Sequence, residues 1–302
     1  MQKENSAPTM KDVAKEAGVA LGTVSKVVNG LPVGDSYRIR VEEAIRKLNY
    51  QVNSYAQGLK ANRTYTVALL IPNTIDPFYA ALTYHINVAL LKRKYRMLLC
   101  TTDFDPKQEQ EYILMAQHNK VDGIIGLTYN PRLIVEENTP FVAIDRSMGP
   151  RIPCVACDNF AGGQLAAEKL ADLGCKNVAF LRTGSSLVNE PNKRKAGFET
   201  GCLSRGLSYE MKILDDADSF NEFEAFLSDH IVDGKITFDG IRSFGSMDYY
   251  CSTIVQPVPE MAEMCVELLL RENMLVKPPL VCLPVTYAFG GTTLDKTNPD
   301  RE

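Results

Sequence analysis

The chain has 302 residues, enough for a small domain and one or two larger ones. Its composition is that of a globular protein, with 45% hydrophobic and 23% charged residues. The first eight residues are polar and no apolar run is long enough to span a bilayer, so we expect neither a signal peptide nor a transmembrane helix. The expected location is the cytoplasm, next to the nucleoid.

The charge is unevenly divided along the chain. Residues 1–64 hold ten Lys and Arg against six Asp and Glu, whereas the remainder holds 23 against 31. A basic head on an acidic body fits a small polyanion-binding module joined to a domain that does not touch nucleic acid.

Residues 9–30 have the pattern of two short helices joined by a tight turn, in the string TMKDVAKEAGVALGTVSKVVNG. Thr9 is a good helix N-cap, and Asp12 can reach back to it as in a capping box. Gly18 falls where the first helix must end. A second helix is predicted over Leu21–Val28.

A third helix is predicted over residues 35–48, from apolar residues at helical spacing. Three short helices with a glycine turn between the first two predict a helix-turn-helix unit; the alternative is an ordinary three-helix bundle with a solvated face. The outward residues of the second helix are short or polar, as a helix that enters a DNA groove requires. They are Leu21, Gly22, Thr23, Ser25, Lys26 and Asn29.

This string, and VEEAIRKLNYQVNSYAQGL after it, resemble the headpiece of the LacI/GalR family of bacterial repressors. The resemblance implies that Leu21, Gly22 and Lys26 read base edges. It also implies that the other three outward residues contact or face the phosphate backbone. Ala20 stands where the family has Ser or Thr, which removes an N-cap hydroxyl.

Residues 53–65 resemble the family's hinge, a segment that becomes helical on operator DNA. There a leucine, matched here by Leu59, wedges into the minor groove, and Ala56 packs beside it. Gly58 inside the segment makes a marginal helix, consistent with folding on binding. The alternative is a plain linker.

After Thr66 short apolar runs alternate with helical patterns, which predicts parallel sheets with helices on both faces. The predicted strands are 66–72, 96–102, 121–128, 140–145, 177–181 and 235–241, and the predicted helices are 78–92, 106–119, 162–173, 192–206 and 220–229. The resemblance covers most of residues 9–289. It implies a two-lobed α/β effector domain of the periplasmic-binding-protein type, with the ligand in the cleft between the lobes.

The expected divisions are a headpiece at 1–52, a hinge at 53–65, an effector-binding and dimerisation domain at 66–289 and a tail at 290–302. Within the body, residues 252–270 match a crossover strand and the helix returning to the first lobe. Residues 279–289 match the closing strand of the second lobe.

Candidate effector contacts follow the ends of predicted strands, where ligands of parallel sheets bind. They are Phe78, Asp103, Asp145, Arg146 and Asp158 with its neighbour Asn159, together with Arg194, which matches the Arg of the family's R-x-x-G-F. A carboxylate and a forked guanidinium suit ligand hydroxyls, and the stretch around Arg194 resembles sugar-responsive members. A nucleobase effector is the alternative, and for each residue a surface cap or salt bridge is the competing interpretation.

The second lobe is predicted to be shortened. Between Ile241 and Gln256 the chain has too few residues for the helix and strand that family members place there. Asp239 matches either the strand before the missing unit or the effector-contacting Asp after it. We therefore expect an internal deletion.

No cofactor or metal is expected. Cys154 and Cys157 form a C-x-x-C, but on a strand residues three apart face opposite sides, which prevents joint ligation. The sequence lacks the common nucleophile and nucleotide-binding motifs, so an enzyme is not expected.

The sequence therefore predicts a homodimeric repressor of a carbohydrate-utilisation operon that binds a palindromic operator and a sugar effector. The alternatives are a DNA-binding regulator without effector response and a solute-binding protein. A solute-binding protein requires a signal peptide and no helix-turn-helix.

Overall fold

A computed structural model describes residues 8–50, 63–128, 130, 132–183, 190–214, 221–222, 225–226, 236–238, 251–271 and 280–293. The chain forms two compact units, Met1–Thr64 and Tyr65–Glu302. We call them the headpiece and the body. Within the described ranges, every helix is too short or too polar to cross a membrane.

The headpiece consists of three helices, α1 Met10–Ala17, α2 Leu21–Val28 and α3 Asp35–Lys47. One fully buried valine from each helix, Val13, Val24 and Val41, forms the centre of its core. The three helices predicted from periodicity are confirmed.

Local capping explains where α1 begins and ends. The hydroxyl of Thr9 accepts a hydrogen bond from the Asp12 amide at 3.4 Å, and the Asp12 carboxylate accepts one from the Thr9 amide at 2.8 Å. Hydrogen bonds from Thr9, first of all from its hydroxyl, lower the pKa of the Asp12 carboxyl. Gly18 ends the helix with a φ of 61°, in the left-handed region that favours glycine.

The body alternates strands and helices. Its strands are β1 Thr66–Ile71, β2 Arg96–Thr101, β3 Gly123–Gly126, β4 Phe141–Ile144, β5 Cys154–Cys157, β6 Asn177–Thr183, β7 Ser208–Leu214, β8 Ile236–Phe238, β9 Ser252–Val255, β10 Leu280–Leu283 and β11 Thr286–Ala288. Its helices are α4 Pro77–Lys92, α5 Pro106–His118, α6 Asn159–Asp172, α7 Lys193–Arg205 and α8 Val258–Leu270.

The first lobe is built on one six-stranded parallel sheet in the order β10-β5-β4-β3-β1-β2. Because side chains alternate along a strand, Leu69 and Leu70 enter separate cores on the two faces. Helices α4 and α8 cover the Leu69 face, and α5 covers the other through Ile113. The predicted return of α8 to the first lobe is confirmed.

The described strands of the second lobe lie in two smaller sheets. β6 pairs with β7 in parallel, and a separate sheet has the order β11-β9-β8. Helices α6 and α7 pack together, and Ala167, Phe198, Cys202 and Ile254 form the centre of the core. The predicted helix at 220–229 falls mostly outside the described residues.

Two expectations about this lobe need correction. The run 279–289 is divided: β10 belongs to the first-lobe sheet, and only β11 pairs antiparallel with β9. The packed body also continues past Phe289, since the Ser252 amide donates to the Thr292 hydroxyl at 3.0 Å and Thr293 is buried. Strand β7 is absent from the sequence prediction.

Where the structure describes the body, the chain passes between the lobes three times, each time within one or two residues. The passages are Asp158, residues 256–257 and residues 284–285. They are joined to one another, because the Asp158 amide donates to the Leu283 carbonyl at 2.6 Å and the Cys157 thiol donates to Gln256 Oε1 at 2.9 Å.

Candidate DNA-binding and effector sites

Helix α2 presents the outward residues predicted for groove contact. Val24 is buried, whereas Leu21, Gly22, Lys26 and Asn29 are exposed. Thr23 and Ser25 are half-buried. Ala20 provides no side-chain cap at the start of the helix, as its replacement of Ser or Thr predicts.

Asn29 and Ser25 are tied to each other at the end of α2. The Asn29 side-chain amide donates to the Ser25 carbonyl at 2.7 Å and to the Ser25 hydroxyl at 3.3 Å. This contact closes the last turn of the helix, and it is the competing structural role for both residues. Their phosphate contacts stay a prediction, and Ala56 and Leu59 of the hinge lie outside the described residues.

The sheet of the first lobe brings most candidate effector residues to its carboxyl edge. Asp103 follows β2, Asp145 and Arg146 follow β4, and Asp158 follows β5. Asp145 is only 5% exposed, and its φ of 56° turns the chain sharply away from the sheet. The Glu190 amide donates to the Asp145 carbonyl at 2.9 Å, which joins the segment before Arg194 to this edge.

Phe78 and Asp158 also have evident structural roles. Phe78 is 7% exposed and packs in the core of the first lobe, at the start of α4. The Asp158 carboxylate caps α6 by accepting a hydrogen bond from the Ala161 amide at 2.9 Å. Contact of either with a ligand stays a prediction, and Asp239 lies outside the described residues.

A buried acid, which sequence reasoning missed, lies at the same edge. Glu109, in the first turns of α5, is 5% exposed and interacts with the Thr128 hydroxyl, the Asn130 amide and the charge of Arg146. Burial raises the pKa of its carboxyl. Arg146 in turn donates to the Thr128 carbonyl at 3.5 Å. The group therefore joins α5 to the ends of β3 and β4.

The side chain of Arg194 is hydrogen-bonded to that of Asn159. Its Nε donates to Asn159 Oδ1 at 2.6 Å, and Asn159 Nδ2 donates to the Cys157 carbonyl at 3.1 Å. Asn159 is 1% exposed. Asn159 thus links Arg194 to the end of β5, and contact of Arg194 with a ligand stays a prediction.

The two cysteines of the C-x-x-C face opposite sides of the first-lobe sheet, as predicted. Cys154 packs in one core and Cys157 in the other. Burial raises the pKa of the Cys154 thiol to about 12. Across the described ranges no three His, Cys, Asp or Glu residues are grouped as metal ligands would be.

Comparison with known proteins agrees with both units. Residues 9–53 match the family described as bacterial regulatory proteins, lacI family. Residues 64–234 match the periplasmic binding proteins and sugar binding domain of the LacI family, which is more than half of the chain. The chain belongs to the LacI family. Proteins of the family that matches residues 9–53 are bacterial transcriptional regulators.

Individual relatives of this LacI-family chain are operon repressors. A sucrose operon repressor of Streptococcus mutans is 30% identical, over 87% of this chain and 92% of the relative. A ribose operon repressor of Halalkalibacterium halodurans is 36% identical, over 63% of this chain and 58% of the relative. The lac repressor dimer bound to operator and an anti-inducer has the same fold, with a TM-score of 0.76 and 20% identity, over 96% of this chain and 100% of that one.

The alignment with the S. mutans repressor contains positions that have no residue in this chain. It runs over 295 positions but uses 87% of a 302-residue chain, so about 30 of its positions have no residue here. A parallel crossover needs a dozen or more residues besides its strand, and the deletion between Ile241 and Gln256 stays a prediction.

Proposed function

We propose that this LacI-family chain is a homodimeric repressor of a carbohydrate-utilisation operon, released from or retained on its operator by a sugar. The observation that carries the proposal is the exposed face of α2, with Lys26 among short side chains, in a chain whose body matches the family's sugar-binding domain. As a DNA-binding regulator it acts in the bacterial cytoplasm and catalyses no reaction.

In the proposed complex α2 enters the major groove, and Lys26 donates to base edges, for which guanine acceptors are the preferred partners. Gly22 has no side chain and its Cβ position is open, so it permits close approach of the helix backbone. Leu21, Thr23, Ser25 and Asn29 surround this contact, while Ala56 and Leu59 act in the minor groove.

The operator experiment uses a duplex selected from random DNA by the full chain. Lys26→Ala should weaken binding about 10- to 100-fold and relax the preference at one base pair of each half-site. Lys47→Ala removes the same charge, but the Lys47 ammonium is already paired with Glu16 at 2.5 Å, so its effect should be small and independent of sequence. Failure to select any palindromic duplex at low salt would refute DNA recognition.

Two copies are proposed to meet through the first lobe, because a two-fold protein fits a palindrome. Tyr84 and Leu91 on α4 are 65% and 57% exposed, and β2, with exposed Leu99, is the terminal strand of the six-stranded sheet. Tyr84→Asp combined with Leu91→Asp should shift the sedimentation coefficient from dimer to monomer. A dimer that persists in this variant would place the interface elsewhere.

The effector site is proposed at the carboxyl edge of the first-lobe sheet. Asp103, Asp145, Arg146 and Asp158 would line one side, Arg194 the other, and Phe78 and Asp239 would complete the contacts with the ligand. A mixed set of carboxylates and guanidinium groups suits sugar hydroxyls. Titration of the operator complex with sucrose, ribose and maltose tests this, and Arg194→Ala should abolish the response while preserving operator binding.

The alignment positions that have no residue in this chain favour a second candidate function. The roughly 30 absent positions and the divided second lobe would weaken one side of the cleft, which leaves a repressor without effector response. Operator binding that no sugar alters, together with no sugar-induced rise in melting temperature, would favour this candidate.

A further inference from the structure

Asn159 follows the end of β5, where the sequence predicts contact with a ligand. Its surroundings indicate a different role. The side chain is almost completely buried, and each end of its amide is already used: Oδ1 accepts from Arg194 Nε, and Nδ2 donates to the Cys157 carbonyl. A buried amide with both ends bonded inside the protein is held in one orientation.

We propose that Asn159 is a positioning residue for effector recognition, which fixes the guanidinium of Arg194 beside the ends of β4 and β5. The proposal rests on the effector site described above and concerns how its arginine is presented. A guanidinium is planar, so a hydrogen bond at Nε also restricts the directions of its two Nη groups.

The backbone of Arg194 is fixed by an independent contact. A Cβ on Gly163 would lie 2.0 Å from the Arg194 carbonyl oxygen, and a Cβ on Gly197 would lie 1.9 Å from that of Phe160. Helices α6 and α7 are therefore in direct backbone contact next to the Asn159–Arg194 pair. The side-chain bond adds orientation to a main chain that is already in place.

The segment before α7 is tied to the same edge. The amide of Glu190 bonds to the Asp145 carbonyl, four residues ahead of Arg194. Arg194 is thus connected to β5 through Asn159 and Cys157, and to β4 through Glu190 and Asp145. Loss of Asn159 should leave Arg194 near the site without the hydrogen bond that orients its Nε.

The test compares Asn159→Leu, which removes the acceptor, with Asn159→Asp, which keeps an acceptor for Arg194 Nε. Gln164→Leu is the matched control. It removes a side-chain amide from the same helix, but that amide donates to Glu168 at 3.2 Å. The first measurement is the Nε–H resonance of Arg194 in full-length protein with ¹⁵N-labelled arginine, assigned by its loss in Arg194→Lys. Circular dichroism confirms that each variant is folded.

We expect the Arg194 resonance to be shifted and slow to exchange in the wild type, Asn159→Asp and Gln164→Leu. In Asn159→Leu it should move to the position of solvent-exposed arginines. Calorimetric titration with sucrose, ribose and maltose should show affinity for the bound sugar weakened about 10- to 100-fold in Asn159→Leu, with partial recovery in Asn159→Asp. Addition of Asn159→Leu to Arg194→Lys should cause little further loss, because the two act as a unit.

An Arg194 resonance that is the same in Asn159→Leu and the wild type would overturn the proposal, whichever sugar binds. Additive losses in the double variant would also overturn it. If the wild type binds none of the three sugars, the proposed effector class fails, and the resonance still decides whether Asn159 positions Arg194.

Discussion

The two lobes of the body differ in how their described strands are joined into sheets. In the first lobe six parallel strands form one sheet, with helices on both faces and Leu69 and Leu70 fully buried in opposite cores. In the second lobe the described strands are divided between a pair and a triplet. Since each internal strand of a parallel sheet is supported on both edges, the first lobe should contribute most of the cooperative stability of the body.

The largest expected difference is between equivalent leucine truncations. Leu69→Ala leaves a cavity under an internal strand and should lower the free energy of unfolding by about 2–5 kcal/mol. Leu214 lies on β7, which pairs only with β6 among the described strands, and relaxation around the cavity in Leu214→Ala should reduce the loss. Urea denaturation followed by circular dichroism measures both. Equal losses would show that the lobes are equally well packed.

A smaller effect is expected at two glycines, one in each lobe. Gly197→Ala places a methyl against the Phe160 backbone and should cost about 1–3 kcal/mol. In Gly123→Ala the three atoms nearest to the new methyl belong to the Leu269 side chain, the closest at 2.7 Å. A side chain can change rotamer where a backbone cannot, so the cost should be lower. Melting temperatures of the two variants test this order, and a reversed order would mean that α6 and α7 can separate easily.

The pH dependence of stability should reveal Glu109 in the first lobe. Because its pKa is raised in the folded state, the folded protein retains this proton to higher pH than the unfolded chain, and stability falls as pH rises toward the folded pKa. Glu109→Gln removes that loss. The free energy of unfolding of this variant should exceed that of the wild type by more at about pH 7 than at about pH 4. A difference that does not change with pH would contradict the raised pKa.

The smallest expected effect is in thiol reactivity. The eight cysteines are free thiols, and burial raises the pKa of Cys154 to about 12 and of Cys202 to about 11. At about pH 8 very little of either is thiolate. Burial also raises the pKa of the Cys282 thiol, but Cys282 is exposed, so iodoacetamide should label it before these two buried cysteines. With increasing urea, Cys202 of the second lobe should be labelled before Cys154, as mass spectrometry of the peptides would show. The reverse order would make the second lobe the more stable one.

The sequence predicted those elements whose signals are local. The capping box of Thr9 and Asp12, the glycine at position 18 and the apolar run of β1 each define their own element. Strand β7 was missed because it is half-exposed and rich in polar residues. The run 279–289 was assigned to one lobe because nothing local reveals that a two-residue passage transfers the chain to another sheet.

The residues of the site were predicted to the extent that they follow strand ends. Asp145 and Arg194 were found in this way, since the carboxyl ends of parallel strands share one edge. Glu109 was not, because an acid in the first turns of a helix is typical of a solvated surface. Its burial depends on the ends of β3 and β4, which are distant in sequence. The role of Asn159 likewise depends on the close approach of α6 and α7.

The three passages between the lobes restrict how the body can respond to a ligand. Each spans one or two residues, and two of them contain a proline, at 257 and 284, whose φ is fixed by its ring. Only a few backbone torsions are left to act as pivots. Any closure of the cleft should therefore be a small rigid-body rotation about a nearly fixed axis, with little energy lost in bending the connections.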